Sequence, residues 1–296
     1  MRDYIELTKP RITWLILMST AVGYFYGLPR GANWWAFLAA IPLLSLLHTL
    51  LGTALMASGT AALNQWYERD ADRHMRRTAR RPLPSGRISA ASALAFGAAL
   101  SVLGFLELWL GVNLLAGFVG AFTLASYLFV YTPMKQRTWW STTVGAIPGA
   151  MPPVIGYAAA AGALPRESWV LFAILFLWQF PHFYSIAWMY KEDYARAGIR
   201  MLPVVEPDCR STARQIVLYG AALIPVSIIP SLLGMSGRLY FAGALLLGLW
   251  FLYSGVRVAA DRTLARARNV LVASVLYLPL IYGLMLVDRP GLLLKF

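Results

Sequence analysis

Cysteine, histidine and acidic residues are all scarce in this sequence. Its 296 residues include one cysteine, Cys209, and three histidines. A lone cysteine excludes an internal disulphide framework, and no Cys/His cluster suggests a structural zinc site. Only 13% of the residues are charged, with 13 Asp and Glu against 26 Lys and Arg. Cysteine redox chemistry is therefore not expected, and the few acids become informative by their position.

Apolar residues dominate instead, at 59% of the chain, and the mean hydropathy is +0.60. A hydrocarbon core of about 30 Å requires roughly 20 apolar residues per helix, and segments of that length recur along the whole chain. The sequence therefore predicts an all-α, polytopic membrane bundle of nine transmembrane helices. The predicted spans are about 12–28, 38–66, 91–110, 112–131, 141–161, 168–190, 213–234, 239–259 and 269–287.

No soluble domain fits between these spans, so residues 1–296 are expected to form a single membrane domain. The first span follows Lys9-Pro10-Arg11 and lacks a small-residue cleavage site. We therefore expect a retained helix, not a removed signal peptide, and a mature chain that is the whole chain.

The net charge of +13 is confined to loops between apolar spans, which favours membrane orientation over nucleic-acid binding. With a cytoplasmic N-terminus, 21 of the 26 cationic residues fall on the cytoplasmic side. This bias follows the positive-inside rule and supports that orientation. The residues left on the opposite side are Arg30, Arg166, Arg238, Arg289 and Lys295.

Two predicted cytoplasmic loops also contain acids, which orientation alone does not require. They are residues 67–90 and 191–212, and we expect them to be the catalytic loops. In the first, Asn64, Glu68 and Asp72 recur at four-residue intervals and would line one face of a helix. An amide and two carboxylates are hard oxygen donors suited to Mg²⁺, which usually completes its shell with water and phosphate oxygens.

Three arginines form a parallel stripe about 100° away, positioned to bind a diphosphate whose metal ion lies on the acidic face. They are Arg69, Arg73 and Arg77. The alternative is a charged helix end that lies among lipid headgroups with local ion pairs. That alternative explains three oxygen ligands in register at a membrane boundary less well.

The segment from Asn64 to Asp72, followed by Arg77-Thr78 and Arg81-Pro82-Leu83-Pro84-Ser85-Gly86, resembles the first aspartate-rich motif of the UbiA-type intramembrane prenyltransferases. Glu68 stands where that motif more often has aspartate. Four further segments resemble the haem O synthase branch. They are Lys9-Pro10-Arg11, Tyr131 to Gly156, Trp178 to Phe183, and Lys191 to Pro203, in which Arg200 replaces an expected proline.

The resemblance implies farnesyl transfer from farnesyl diphosphate to a vinyl group of protohaem IX, with Mg²⁺ held by Asn64, Glu68 and Asp72 and by Asp193 from the second loop. It implies diphosphate contacts from Lys135 and Arg137, although membrane orientation also explains these two cations. It implies haem binding by His182, for which a structural, hydrogen-bonded histidine is the alternative. The implied location is a bacterial inner membrane, with haem A synthase or terminal-oxidase assembly proteins as partners.

Three rival functions remain open at this point. The acceptor is an aromatic or quinone precursor in other members of the superfamily, which share the first motif. A transporter would also contain broken helices and intramembrane polar groups, and would make no prenylated product. A haem-delivery factor would bind haem and would not need Glu68 or Asp72.

Overall fold

The computed structural model describes residues 1–29 and 41–290, which leaves Arg30, Lys295 and the start of the predicted second span outside the described residues. All regular secondary structure in these ranges is helical. The helices are α1 Arg2–Leu7, α2 Pro10–Gly27, α3 Leu43–Tyr67, α4 Arg69–Arg73, α5 Ala90–Gly111, α6 Leu114–Met134, α7 Ser141–Ala161, α8 Arg166–Met189, α9 Lys191–Arg196, α10 Leu202–Val205, α11 Arg210–Leu232, α12 Arg238–Ala260 and α13 Leu264–Val287.

Eight of these helices are long and apolar enough to cross a membrane: α3, α5, α6, α7, α8, α11, α12 and α13. The predicted all-α membrane bundle is thereby confirmed. The predicted first span also folds as a helix, α2, but Arg11 and several hydroxyl and glycine residues make it less apolar than those eight. The count of nine spans and the side of the N-terminus therefore stay predictions.

Two long helices are irregular where proline removes a backbone donor. In α6, residues Ser126–Tyr131 form a π-helical turn ahead of Pro133, and the Thr132 amide bonds to the Tyr127 carbonyl five residues back. In α7, the helix is interrupted between Gly149 and Pro152, as the run of prolines predicts. The interruption of α7 lies in the interior of the bundle, where neighbouring helices can satisfy freed backbone groups, whereas the π-helical turn of α6 is partly exposed.

Helices α2 and α7 pack with almost no space between their backbones. A Cβ atom on Gly156 would lie 1.9 Å from the Thr20 carbonyl oxygen, and one on Gly23 would lie 1.9 Å from the Pro153 carbonyl oxygen. These contacts require glycine at both positions because backbone atoms cannot move aside as a flexible side chain can. They also help to set the position of Lys9, the residue that precedes α2.

We expect Gly156→Ala to destabilise the protein by about 1–3 kcal/mol, because the added methyl group forces the two backbones apart. The measurement is the Tm of the detergent-purified protein. Gly283→Ala is the matched control, since a Cβ atom there meets nothing within 4 Å. Equal Tm values for the two variants would contradict the close approach.

Candidate active site

A cavity of about 150 Å³ lies at the end of the bundle where α3 terminates, beneath the loop of residues 68–89. Helices α2, α3 and α6 and both acid-containing loops contribute to its wall. Its lining residues are Lys9, Ile12, Asn64, Glu68, Asp72, Met75, Arg77, Arg81, Tyr127, Tyr131, Lys135, Tyr194, Ile199 and Met201. The lining is therefore rich in cations, carboxylates and tyrosines.

The three predicted oxygen ligands share this cavity although α3 ends at Tyr67. The helical spacing continues because the Glu68 amide bonds to the Asn64 carbonyl at 2.9 Å and the Asp72 amide to the Glu68 carbonyl at 2.8 Å. The Asn64 side-chain amide donates to Thr132 Oγ1 at 3.2 Å. This contact turns the Asn64 nitrogen toward α6 and leaves its oxygen without a hydrogen bond among the described residues.

Both carboxylates of this face are paired with cations from elsewhere in the chain. Lys135 Nζ lies 2.7 Å from Glu68 Oε1, and both side chains are 13% exposed. Arg81 Nη1 lies 2.8 Å from Asp72 Oδ2, and the Asp72 side chain is 1% exposed. The second oxygen, Asp72 Oδ1, is buried and has no hydrogen-bond partner in the part of the chain described. A buried carboxylate oxygen without a partner is costly unless a ligand uses it.

The fourth predicted ligand, Asp193, joins the two loops together. Its Oδ2 accepts a hydrogen bond from the Arg77 backbone amide at 3.3 Å, and its Oδ1 pairs with Arg196. The Arg77 guanidinium lies over the rings of Tyr190 and Tyr194, at 5.3 and 5.8 Å from their centroids. Asp193 itself is not a lining residue, but it is hydrogen-bonded to Arg77, which is one.

The remaining predicted cations are less central than Lys135 and Arg77. Arg69 and Arg73 both lie beside Asp70, and Arg69 also donates to the Trp66 carbonyl at 2.9 Å. Arg137 is exposed, and its carbonyl accepts a hydrogen bond from Arg200. The structure therefore places none of these three arginines in the lining.

Several lining residues were not assigned a role from the sequence. Lys9, Arg81, Tyr131 and Tyr194 lie within the segments that carry the family resemblance, whereas Tyr127 lies outside them and had no signal in the sequence. The π-helical turn of α6 directs the two α6 tyrosines toward Lys135, whose Nζ lies 4.5 Å from the Tyr131 ring centroid.

The charges around the cavity shift the pKa values of its two lysines in opposite directions. Burial lowers the pKa of Lys135, but the Glu68 carboxylate and the neighbouring tyrosines raise it more, and its net pKa lies well above the usual value. Burial, then the cations Arg81 and Lys135, lower the pKa of Lys9 to about 7. An anionic ligand in the cavity would favour the charged form of Lys9.

His182 lies outside the cavity, within α8. Its Nδ1 is 2.8 Å from Ser274 Oγ of α13, and its ring stacks on Trp178. Gln179, one helical turn before it, is buried and donates to the Ala146 carbonyl of α7.

Among the described residues, no three His, Cys, Asp or Glu side chains converge as a preformed metal cluster. The cavity offers a different donor set, with the free amide oxygen of Asn64, the carboxylate of Glu68 and the unpartnered oxygen of Asp72. This set fits Mg²⁺, which needs few protein ligands when water and phosphate oxygens complete its shell.

A sequence model of the UbiA prenyltransferase family matches residues 16–278. The chain belongs to this family. It is 81% identical over 292 residues, 99% of this chain and 100% of the relative, to a protein from Solibacter usitatus named Protoheme IX farnesyltransferase. A protein of the same name from Koribacter versatilis is 46% identical, over 98% of this chain and 94% of its own length.

Solved structures share the fold at low sequence identity. A digeranylgeranylglyceryl phosphate synthase superposes with a TM-score of 0.78 at 17% identity and covers 97% of both chains. A UbiA homolog from Archaeoglobus fulgidus, bound to GPP and Mg²⁺, gives a TM-score of 0.68 at 18% identity, over 96% of this chain and 99% of its own.

We expect Lys135→Met to raise KM for a prenyl diphosphate by about 10–100-fold, because a hydrogen bond to a charged group contributes roughly 1.5–3 kcal/mol. Steady-state kinetics on purified protein provide the measurement. Arg137→Met is the comparison, and we expect a smaller effect because that guanidinium is exposed. Equal effects would show that the cavity does not define the diphosphate site.

Proposed function

We propose that the protein transfers the farnesyl group of farnesyl diphosphate to a vinyl group of protohaem IX, with addition of water and release of diphosphate, to form haem O. One observation carries the proposal. In a chain 81% identical to a protein named Protoheme IX farnesyltransferase, Asn64, Glu68 and Asp72 line a single cavity together with Lys135 and Arg81. Carboxylates for a metal ion and cations for a diphosphate are what ionisation of an allylic diphosphate requires.

Asn64, Glu68 and Asp72 would hold Mg²⁺, with Asp193 as a further ligand from the second loop. The bound ion would supply Lewis-acid stabilisation of the charge that develops on the leaving diphosphate. The Archaeoglobus relative bound to GPP and Mg²⁺ supports this choice of metal. Among the described residues, Asp72 Oδ1 is the one carboxylate oxygen that is buried without a hydrogen-bond partner, and such a ligand would satisfy it.

Lys135 and Arg77 would bind the diphosphate oxygens, joined by Lys9 and Arg81 from the cavity wall. The ion pairs of Lys135 with Glu68 and of Arg81 with Asp72 keep the cavity charges balanced before ligands enter. A metal ion can then take over the carboxylates and a diphosphate the cations without leaving a buried charge unpaired. Arg69, Arg73 and Arg137 stay predictions as diphosphate ligands.

The size of the cavity supports a site for the diphosphate head alone. Sites for drug-sized ligands usually measure about 300–1,000 Å³, whereas this cavity measures about 150 Å³. The farnesyl chain would extend into the apolar interior of the bundle, and protohaem would approach from the membrane side, where His182 lies. Exclusion of bulk water by the helices would protect the farnesyl cation until the vinyl group attacks.

An aromatic or quinone precursor is the second candidate acceptor, because the cavity serves any prenyl diphosphate. The names of the full-length relatives favour protohaem. Membership of a prenyltransferase family favours an enzyme over a transporter or a haem-delivery factor. The bacterial inner membrane, a site that faces the cytoplasm, and partnership with haem A synthase or terminal-oxidase assembly proteins are proposed with this function.

The direct test incubates detergent-purified protein with haem b and farnesyl diphosphate, with Mg²⁺ or with EDTA, and measures the mass of the extracted haem. We expect a mass gain that corresponds to hydroxyethylfarnesyl addition, and only with Mg²⁺. Prenylation of an aromatic acceptor but not of haem would support the second candidate. Absence of any product would contradict prenyl transfer.

Asp72→Asn is expected to lower turnover at least about 100-fold, by analogy with the loss of other groups that stabilise transition-state charge. Haem binding should remain, since Asp72 lies at the diphosphate site. Asp70→Asn is the matched control, because this exposed carboxylate forms ion pairs, among the described residues, only with Arg69 and Arg73. Near-normal turnover in the Asp72→Asn variant would contradict the assignment of Asp72 as a metal ligand.

A further inference from the structure

Two helices fix the orientation of the His182 ring. From α13, Ser274 Oγ lies 2.8 Å from His182 Nδ1. From α8, Trp178 stacks on the imidazole at 4.8 Å between centroids and 21° between planes. Trp178 also donates from Nε1 to the Ser274 carbonyl at 2.8 Å, so the same serine residue holds both rings. The imidazole is therefore tied at one nitrogen and on one face.

The hydrogen bonds of Ser274 decide which His182 nitrogen carries the proton. A serine hydroxyl has a single hydrogen to donate, and Ser274 donates it to the Leu271 carbonyl at 2.6 Å. Toward His182 the same oxygen can then only accept, so Nδ1 must be the protonated nitrogen. In the neutral imidazole, Nε2 is left with its lone pair.

Nothing in the described ranges occupies that lone pair. His182 makes no ion pair there, and Nε2 has no hydrogen bond with any described residue, although the ring is only partly exposed. Nε2 is not one of the buried unpartnered atoms of the described residues, so it is accessible to a ligand. A neutral imidazole whose Nδ1–H donates to a fixed acceptor and whose Nε2 is free is the form that binds a metal ion.

We infer that His182 Nε2 binds the iron of the protohaem substrate and that Ser274 is the positioning residue that sets its tautomer and direction. The inference rests on the proposed function, since it takes protohaem as the acceptor. His182 lies seven residues before the end of α8 at Met189, about 10 Å along the helix. The iron would thus be held on the membrane side of the loop that carries Asp193.

The test compares haem b with iron-free protoporphyrin IX on the detergent-purified full chain, by absorption titration without farnesyl diphosphate. The wild type should bind haem with the spectrum of an imidazole-ligated iron. Ser274→Ala should weaken haem binding about tenfold, as loss of a metal ligand's hydrogen-bond partner does. Ser274→Thr should retain the affinity, because threonine can make the same two hydrogen bonds.

His182→Ala should lose the imidazole-ligated spectrum, and added free imidazole should restore it. Binding of iron-free protoporphyrin IX should be the same in the wild type and both alanine variants. A wild-type haem spectrum in His182→Ala, or an equal loss of affinity for the iron-free porphyrin, would overturn the inference. If the Ser274→Ala variant does not fold, the Ser274→Thr variant provides the test. Loss of the imidazole-ligated spectrum in that variant would contradict the positioning role of Ser274.

Failure of the inference and failure of the proposed function give different results. If the wild-type protein converts haem to the farnesylated product but the His182→Ala variant binds haem normally, only the assignment of His182 as the iron ligand is overturned. Wild-type protein that binds no haem and forms no haem product would overturn both.

Discussion

The ion pair between Glu68 and Lys135 is the constraint on which the site depends. Glu68 follows the end of α3 and Lys135 follows the end of α6, so their 2.7 Å contact joins two long helices at one end of the bundle. Removing one partner of a buried ion pair typically costs about 3–5 kcal/mol, because the other charge remains without compensation. Arg81 and Asp72 form a second ion pair, which lies within the 68–89 loop. A site that must hold both a metal ion and a diphosphate needs charges of both signs, and these pairs keep them close in the absence of ligands.

Irregular backbone supplies the geometry that regular helices would not. The π-helical turn of α6 places Tyr127 and Tyr131 beside Lys135, and such turns often occur at functional sites. Lys9 precedes α2 in a left-handed conformation, with φ of 49°, which is uncommon for a residue with a side chain. Its position depends in turn on the close packing of α2 against α7. The cavity is thus assembled from helix ends and interruptions, where side chains can point into a common space.

In the proposed reaction, the two loops would hold the diphosphate, and the membrane interior would hold the farnesyl chain and the haem. The hydrogen bond between Asp193 and the Arg77 amide connects the two loops. An apolar cluster that includes Met75, Ile199 and Met201 also joins them. The small polar cavity suits the diphosphate, and the His182–Ser274 contact lies deeper, between α8 and α13. This separation would let the leaving group depart into a charged pocket while the carbon cation reacts in an apolar one.

The sequence by itself determined the class of fold and the composition of the acidic face. In a membrane, the backbone groups of long apolar segments can be hydrogen-bonded only if the segments are helical. The four-residue spacing placed Asn64, Glu68 and Asp72 on one side, because helical hydrogen bonds continue past Tyr67. The family resemblance also predicted a role for Lys135, which lines the cavity. Periodicity could not show that Arg69 and Arg73 would lie beside Asp70 and not in the cavity, because it describes one helix and not its neighbours. Only the tertiary structure brought Lys9, Arg81 and Tyr194 to that face and Ser274 to His182, since contacts between residues so far apart in the chain depend on how the helices pack.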